Sequence, residues 1–402
     1  MLFKKEELKL LWPFYVYYFF MGTWAMVSLY LVLYFRQLSF SFFEISILFS
    51  SFGFSMFLFE IPTGIIADKY SRKMSVLIGF FLAVILIFLL GFVTSFLLFL
   101  VLFILLGIAM TFISGAEEAW IIDNLKLSKR KDLYNEYYIK STSISAISAA
   151  ISMFLSSFVL KFYSMSYLFF ITAVCLFIGG LILFIFSKEY YVPKKKSKVS
   201  FIKTIGDAKK GLKYLKNHAI LFYLILGVLF ISVIDILFDY WQPFLISVGM
   251  PIYYIGSFFS IIAIIKIFSP FIVKKFSKNN EKKIIICMVL FVVILLSLIF
   301  ALSYVGFIIV AILIGLFAII KTAKYIVISS YFQKQVPTKA RATLTSTKNM
   351  FSQAFLAFFA LLLGYLADII GIRYVILSVI PFGLLGILFF LRIKDKSVKV
   401  HR

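Results

Sequence analysis

The chain has few of the residues that soluble proteins use for redox, metal and disulfide chemistry. It has two cysteines and two histidines among 402 residues. Cys175 and Cys287 both fall inside apolar segments, so a disulfide framework is not expected. His218 and His401 lie near segment ends, which argues against histidine-ligated haem and most histidine metal sites. We therefore expect no metal and no cofactor.

Charge is also scarce. Charged residues make up 14% of the chain and hydrophobic residues 63%, and the mean hydropathy is +1.06. Soluble domains are about one-quarter charged and about half apolar, so this composition predicts a polytopic membrane protein. No nucleophile–base pair, metal-ligand cluster or phosphate-binding loop is visible in the sequence. Neither an enzyme nor an ATP-driven pump is therefore expected.

The net charge of +24 could indicate a nucleic-acid-binding protein, but the bases are spread through short loops. Apolar runs of about 20 residues predict twelve membrane-spanning segments. Their approximate ranges are 10–35, 41–66, 74–93, 95–122, 135–160, 165–187, 218–247, 251–274, 284–303, 305–332, 341–367 and 374–391. One set of loops holds thirty-three Lys and Arg residues, and the opposite set holds three. This asymmetry predicts a cell-membrane protein with both termini in the cytoplasm and no nucleic-acid partner.

The longest loop is central and rich in lysine. Within it, Ser200 to Lys216 is expected to form a short amphipathic helix on the membrane surface. We divide the chain into a six-helix bundle (1–190), this loop (191–217) and a second six-helix bundle (218–402). The arrangement is typical of two repeat bundles that move about a site near the middle of the membrane. We expect an all-α monomer in the lipid bilayer.

A glycine, an acid and two bases are concentrated in the turn after the second segment. The sequence from Glu60 to Lys73 is EIPTGIIADKYSRK. Asp68 can pair with Arg72 four residues later, and the bases cannot cross lipid. Gly64 would allow a neighbouring backbone to approach closely. The pattern predicts a latch that closes in one conformation and opens in another.

This turn resembles the signature G-x-L-A-D-R-x-G-R-K between the second and third helices of the major facilitator superfamily. Ser71 stands where the second glycine is usual, and the preceding EIPTG resembles a prokaryotic branch of that family. The resemblance implies twelve helices in two six-helix bundles. It also implies a secondary transporter that works by alternating access, usually coupled to protons or to substrate gradients.

The fourth segment ends in the acidic sequence SGAEEAWIID, residues 114–123, which resembles the fourth helix of the same branch. Four residues share one face at helical spacing, namely Gly107, Thr111, Ser114 and Glu118. We therefore expect Glu118 to be the interior carboxylate, acting as a proton site or as a gate. Glu117 or Asp123 is expected to make contacts at the helix end. The alternative is that these acids pair structurally with Lys140.

The seventh segment carries Asp235, Asp239 and Gln242 at spacing that predicts one helical stripe. Two carboxylates one turn apart repel each other when both are ionised, which suits a proton carrier. Pro243 is expected to break the helix and free backbone carbonyls toward a cavity, and the sequence WQP resembles the same branch. The alternative is a hydrated helix end with ordinary acids.

The tenth segment has Lys321 and Lys324 near its middle. Two like charges at this depth either pair with Asp235 and Asp239 or bind an anionic ligand, and the sequence leaves both interpretations open. Lys266 in the eighth segment is a weaker candidate for lining the cavity that the eleventh segment is expected to line.

The eleventh segment begins with VPTKARAT, which resembles the P-x-x-x-R-A-T sequence of the branch. Four of its polar residues share one face, namely Arg341, Thr345, Lys348 and Ser352. A helix this polar over three turns must face water or protein. Lys348 and Ser352 are therefore expected to line a cavity, and Arg341 to act as a gate or to contact the lipid surface. In the first segment, Trp24 is deep enough to contact a ligand, and packing in the protein core is the alternative interpretation.

From these residues we hypothesise a proton-linked facilitator of a small amphipathic or anionic organic solute, with the solute and H⁺ as partners. An exporter of lipophilic cations is the main alternative, because Phe-rich walls and Glu118 would suit a cation. A lipid flippase is a further alternative. Drug–proton antiport is not implied, because the chain lacks the buried arginine and the G-P-x-x-G element of those exporters.

Overall fold

The computed structural model describes residues 3–190, 218–267, 269, 280–337 and 341–393, without the side chains of residues 61, 341–343, 346, 347 and 350. Every regular element in these ranges is a helix, so the all-α prediction is confirmed. The predicted amphipathic helix at 200–216 lies outside the described residues.

Residues 3–190 form nine helices. They are α1 (Lys5–Met21), α2 (Trp24–Ser28), α3 (Leu31–Gln37), α4 (Phe42–Lys69), α5 (Arg72–Leu90), α6 (Phe96–Ile113), α7 (Ala116–Leu127), α8 (Leu133–Phe162) and α9 (Ser166–Phe186). Apolar runs fold as helices because a chain in lipid must satisfy its backbone hydrogen bonds internally. Polar residues then set the ends. At the start of α4, Glu44 N donates to Ser41 Oγ at 3.1 Å and Ser41 N donates to the Glu44 carboxylate at 2.8 Å.

The described part of the second half contains eight further helices and one 3₁₀ segment. They are α10 (Ala219–Val233), the 3₁₀ segment (Ile234–Tyr240), α11 (Trp241–Ser247), α12 (Ile252–Lys266), α13 (Glu281–Leu302), α14 (Phe307–Gln335), α15 (Arg341–Ile370), α16 (Ile372–Ser378) and α17 (Ile380–Leu391).

Eleven helical stretches among the described residues are long and apolar enough to cross a membrane. They correspond to eleven of the twelve predicted segments. The remaining one contains α12, which is apolar but shorter, with 15 residues. The predicted range of this segment ends at residue 274. Residue 268 and residues 270–279 are not among the described residues. The prediction of a helical, multi-pass membrane protein is confirmed.

Contacts divide the described residues into two compact units. Unit 1 lies within Met1–Ser200 and Pro251–Ile264, and unit 2 lies within Phe201–Met250 and Ile265–Arg402. Most of α12 therefore belongs with unit 1, although it follows the seventh span in the chain. The domain boundaries drawn at residues 190 and 218 stay a prediction.

Close packing on α8 holds α12 in unit 1. A Cβ at Gly256 would collide with the Met153 carbonyl and with two serine hydroxyls of α8, so only glycine fits there. Beside it, the Ser257 backbone N–H donates to Ser157 Oγ at 2.7 Å. Ser156 and Ser157 of α8 thus form a surface of small side chains against which α12 packs.

The two units have different cores. The core of unit 1 is largely aromatic: Phe14 packs edge-on against the fully buried Trp120, with ring centroids 4.9 Å apart, and Phe35 packs against Phe99 at 5.1 Å. The core of unit 2 is mainly aliphatic, with Leu224 and Val289 both fully buried. Because lipid tails are as apolar as these side chains, close packing rather than escape from water stabilises both cores.

Candidate functional site

The predicted latch contains a three-helix charge network in unit 1. Arg72, the first residue of α5, donates to Asp123 of α7 at 2.5 Å and to the Ala119 carbonyl at 2.9 Å. Its other terminal nitrogen lies 3.3 Å from Asp68 of α4. The Asp68–Arg72 contact follows the spacing expected from the sequence, and Asp123 adds a third helix. One guanidinium therefore connects the end of α4 and the start of α5 to the middle of α7, with planar geometry suited to two carboxylates.

The N-terminus of α5 also binds a carboxylate that the sequence reading missed. Ser71 caps the helix by accepting from Met74 N at 3.0 Å, and its hydroxyl donates to Glu189 at 2.5 Å. The backbone N–H groups of Arg72 and Lys73 donate to Glu189 Oε1 at 2.7 and 3.1 Å. A helix N-terminus favours such an anion. Serine suits this position because it needs a capping hydroxyl on extended backbone, with φ of −163°.

Other residues of the latch turn have different surroundings. Lys73 donates to the Phe184 and Ser187 carbonyls, at 2.9 and 2.6 Å, and so closes the end of α9. Glu60 is exposed, and no described atom outside the helix's own neighbouring residues lies within 4 Å of where a Gly64 Cβ would be. The close approach of another backbone that was expected at Gly64 is therefore not found in the described part of the chain.

The expectation that Glu118 is the interior carboxylate is wrong, because the fourth span is not one helix. Gly115, at φ +71°, interrupts the span after α6 ends at Ile113, and α7 starts in a new direction. The residues thought to share a face therefore do not. Glu118 is exposed and accepts a hydrogen bond from the Tyr134 hydroxyl. Glu117, in contrast, has a buried oxygen.

Glu117 lies in a tyrosine cluster. Its Oε1 and the hydroxyls of Tyr17 and Tyr137 are buried and have no hydrogen-bond partner among the described residues. Tyr18 lies between these two tyrosines, with ring centroids 5.5 Å from Tyr17 and 6.2 Å from Tyr137. A carboxyl oxygen and two tyrosine hydroxyls are therefore buried in the interior of unit 1.

The alternative pairing of these acids with Lys140 is also wrong. Lys140 pairs instead with Glu7 of α1, at 2.6 Å, and more distantly with Glu136, at 3.5 Å. The Glu7 side chain is fully buried and accepts a second hydrogen bond from Tyr15 at 2.5 Å. This buried pair joins the start of α1 to α8.

In unit 2, an ion pair lies within two membrane-spanning stretches. Lys324 of α14 is almost completely buried, and its amine lies 3.0 Å from the Asp235 carboxylate in the 3₁₀ segment. Lys321 donates to the backbone carbonyl of Asp235 at 3.1 Å. Of the two interpretations left open by the sequence, pairing with an acid therefore holds for Lys324.

The predicted stripe of Asp235, Asp239 and Gln242 is absent, because residues 234–240 form a 3₁₀ segment with about three residues per turn. Asp239 is exposed, whereas Gln242 is buried. Pro243 has no N–H to give to the Asp239 carbonyl. When the Gln242 amide is turned by 180°, which satisfies both of its polar atoms, its nitrogen donates to the carbonyls of Phe238 and Asp239 at 3.2 Å each. The freed carbonyls expected near Pro243 thus have a local donor.

The remaining predicted residues are placed as follows. Lys348 lies over the Phe332 ring, 4.8 Å from its centroid, and Ser352 is half-buried. Trp24 is half-buried in α2. The Arg341 side chain lies outside the described part of the chain. No group of three side chains suited to a metal ion occurs among the described residues.

Comparison with known proteins agrees with this architecture. The family model of the Major Facilitator Superfamily matches residues 13–354. An uncharacterised MFS-type transporter of Bacillus subtilis, YxaM, is 22% identical over 258 residues, and the match spans 62% of each chain. The solved nucleoside transporter NupG (D323A mutant) superposes with a TM-score of 0.76 at 17% identity, covering 96% of this chain and 99% of that one.

A bacterial homologue of the human lysosomal transporter Spinster, in an inward-facing and unoccupied conformation, has a TM-score of 0.71 at 13% identity, covering 96% of this chain and 97% of that one. An auto-inhibited peptide transporter of the POT family has 0.72 at 11% identity, covering 97% and 98%. At these identities the solved structures show a shared fold. The family model matches most of the sequence and therefore shows the family: this chain belongs to the Major Facilitator Superfamily.

Proposed function

We propose that the chain is a proton-coupled secondary transporter that moves a small organic solute across the cell membrane by alternating access. The observation that carries the proposal is the ion pair of Asp235 and Lys324, 3.0 Å apart inside two membrane-spanning stretches. A charge within the bilayer costs several kcal/mol unless it is paired or hydrated. The stability of this pair therefore depends on whether its acid carries a proton.

Protonation of Asp235 removes the carboxylate charge and leaves the buried Lys324 without a counter-ion. Such a loss favours a conformation in which the amine reaches water or an anionic group. Release of the proton on the other side of the membrane restores the pair. An equilibrium between two conformations that is biased by both a proton and a solute couples their movements.

The Arg72 network supports a mechanism with two conformations. It joins three helices through Asp68 and Asp123, and such contacts can form in one state and open in another. The turn that contains Arg72 belongs to the set of loops that is rich in Lys and Arg. This excess of bases supports a cytoplasmic position for the network and for both termini.

The first experiment measures proton movement in proteoliposomes that contain a pH-sensitive dye. The solutes are nucleosides, short peptides, organic anions and lipophilic cations, added one at a time. A transported solute is expected to change the internal pH, and an imposed pH gradient is expected to change its uptake. Asp235→Asn is expected to abolish the pH change but to leave solute exchange at equal concentrations, which needs no net proton transfer.

Asp132→Asn is the matched control, because it makes the same chemical change at an exposed carboxylate outside the spans. It is expected to behave like the unchanged protein. If a solute is taken up at a rate that ignores both the pH gradient and Asp235→Asn, the coupling proposal is wrong.

A further inference from the structure

Two lysines in unit 2 share one aromatic ring. The amine of Lys321 in α14 lies 5.0 Å from the centroid of Phe238, and that of Lys266 at the end of α12 lies 5.6 Å from it. The ring belongs to the 3₁₀ segment between α10 and α11. Three separate elements thus bring two cations and one aromatic face together.

Neither lysine has a carboxylate within ion-pair distance among the described residues. The Asp235 carboxylate accepts from Lys324, and Lys321 donates to the backbone carbonyl of Asp235. Asp239 also attracts Lys321, but from beyond ion-pair distance. The described groups here are three lysines and two aspartates, which leaves one positive charge in excess when all are ionised.

The excess positive charge around Phe238 raises the free energy of the protein, because the lysines that carry it are not fully hydrated. Lys266 and Lys321 are both half-buried, and each repels the other. A cation over an aromatic face gains about 0.5–2 kcal/mol, which is less than a charge loses by incomplete hydration in a membrane protein. An anion placed against both amines would relieve the desolvation and the repulsion together, so the arrangement favours a ligand of negative charge.

We propose that Lys266, Lys321 and Phe238 form a binding subsite for the carboxylate of a small organic monoanion. A single negative charge neutralises the excess, and the ring offers an apolar surface to the body of the ligand. The subsite rests on the proposed transport function, for which it names the substrate class.

The test measures binding rather than transport. The full-length protein is purified in detergent, and its melting temperature is followed as benzoate is added, with benzamide as the neutral analogue of the same shape and inorganic phosphate as the second anion. Benzoate is expected to raise the melting temperature, because a ligand of the folded state stabilises it. Benzamide is expected to have no effect, and phosphate a smaller effect than benzoate because it has no apolar body.

Substitutions then locate the site. Lys266→Gln and Lys321→Gln are each expected to weaken benzoate binding by roughly tenfold, as for the loss of one charged contact. Lys321→Arg, which keeps the charge, is expected to bind benzoate and so shows that loss of binding is not loss of folding. Arg373→Gln is the matched control, because it removes a cation that lies 4.8 Å from the Tyr304 ring in the same unit. It is expected to leave binding unchanged.

Equal effects of benzoate and benzamide, no benzoate effect into the high millimolar range, or binding that survives both Lys→Gln changes would each overturn the subsite. Stronger binding of phosphate than of benzoate would overturn the organic-monoanion assignment. Failure of the proposed function gives a different result: benzoate binds in a lysine-dependent way, but no tested solute moves across the membrane.

Discussion

The two units differ in how completely ion pairs compensate their cations, although both contain buried pairs, such as Lys324 with Asp235 in unit 2. In unit 1, Glu7 meets Lys140 and Arg72 meets both Asp68 and Asp123. Around Phe238 in unit 2, the described lysines outnumber the aspartates. Paired charges stabilise one arrangement of helices, whereas an uncompensated cation raises the free energy of the empty site and can be stabilised by a ligand. The comparison teaches that a paired charge indicates a structural role and an uncompensated cation indicates a ligand-binding role, even when the residue types are the same.

The largest expected effect comes from breaking a pair in unit 1. Lys140→Gln removes the cation that pairs with the fully buried Glu7 side chain and leaves that carboxylate without an ionic partner at this position. We expect a loss of about 3 kcal/mol, since an unpaired buried charge is strongly destabilising. The measurement is thermal unfolding of the purified protein. The double variant Glu7→Gln/Lys140→Gln is expected to recover part of the stability, and a double variant no better than Lys140→Gln would contradict a charge effect.

A smaller effect of opposite sign is expected in unit 2. Lys266→Met removes one of two mutually repelling cations and keeps the apolar stem, so the ligand-free protein should gain about 1 kcal/mol. The same unfolding experiment measures it, with Lys161→Met at an exposed position as the control. A loss of stability in Lys266→Met would show that this lysine has a compensating partner, and the contrast between the units would fail.

The smallest effect is expected at the surface of unit 1. Arg130 bonds to Asp132 and holds the pKa of that carboxyl below its ordinary value of 3.8. Because the folded pKa is lowered, any stabilisation is present above the ordinary value and is lost as the pH falls through the folded one. Asp132 is exposed and Arg130 is half-buried at the surface, so salt and water screen the pair. Arg130→Gln should leave the melting temperature unchanged at neutral pH, and a clear drop there would mean that surface pairs contribute as much as the buried one.

Local spacing predicted the parts of the site that lie within one helix or at one turn. The Asp68–Arg72 contact follows from a separation of four residues, and the depth of Lys324 required a partner that proved to be Asp235. Glu189 was missed because its contacts join residues more than one hundred positions apart. Its only signal was a single acid beside the lysine-rich loop.

Backbone geometry explains why two predicted helix faces, the one with Glu118 and the one with Asp239, were wrong. The choice of Glu118 assumed an unbroken helix, but the positive φ at Gly115 could not be read from a single glycine beside Ser114 at the end of an apolar segment. The stripe through Asp239 assumed α-helical spacing, and the 3₁₀ segment before Pro243 changes that angle. Side-chain patterns show which residues are polar, whereas interruptions of the backbone decide where they point.

The interruption at Gly115 also bears on how relatives of this chain should be aligned. Within a continuous helix, the loss of one residue rotates everything after it by about 100°. Here α7 is anchored through Asp123 by Arg72, and the turn before it can absorb such a change. An alignment should therefore permit a gap at residues 114–115 and match the two halves of this span independently, or the acidic positions of distant relatives will be compared with the wrong columns.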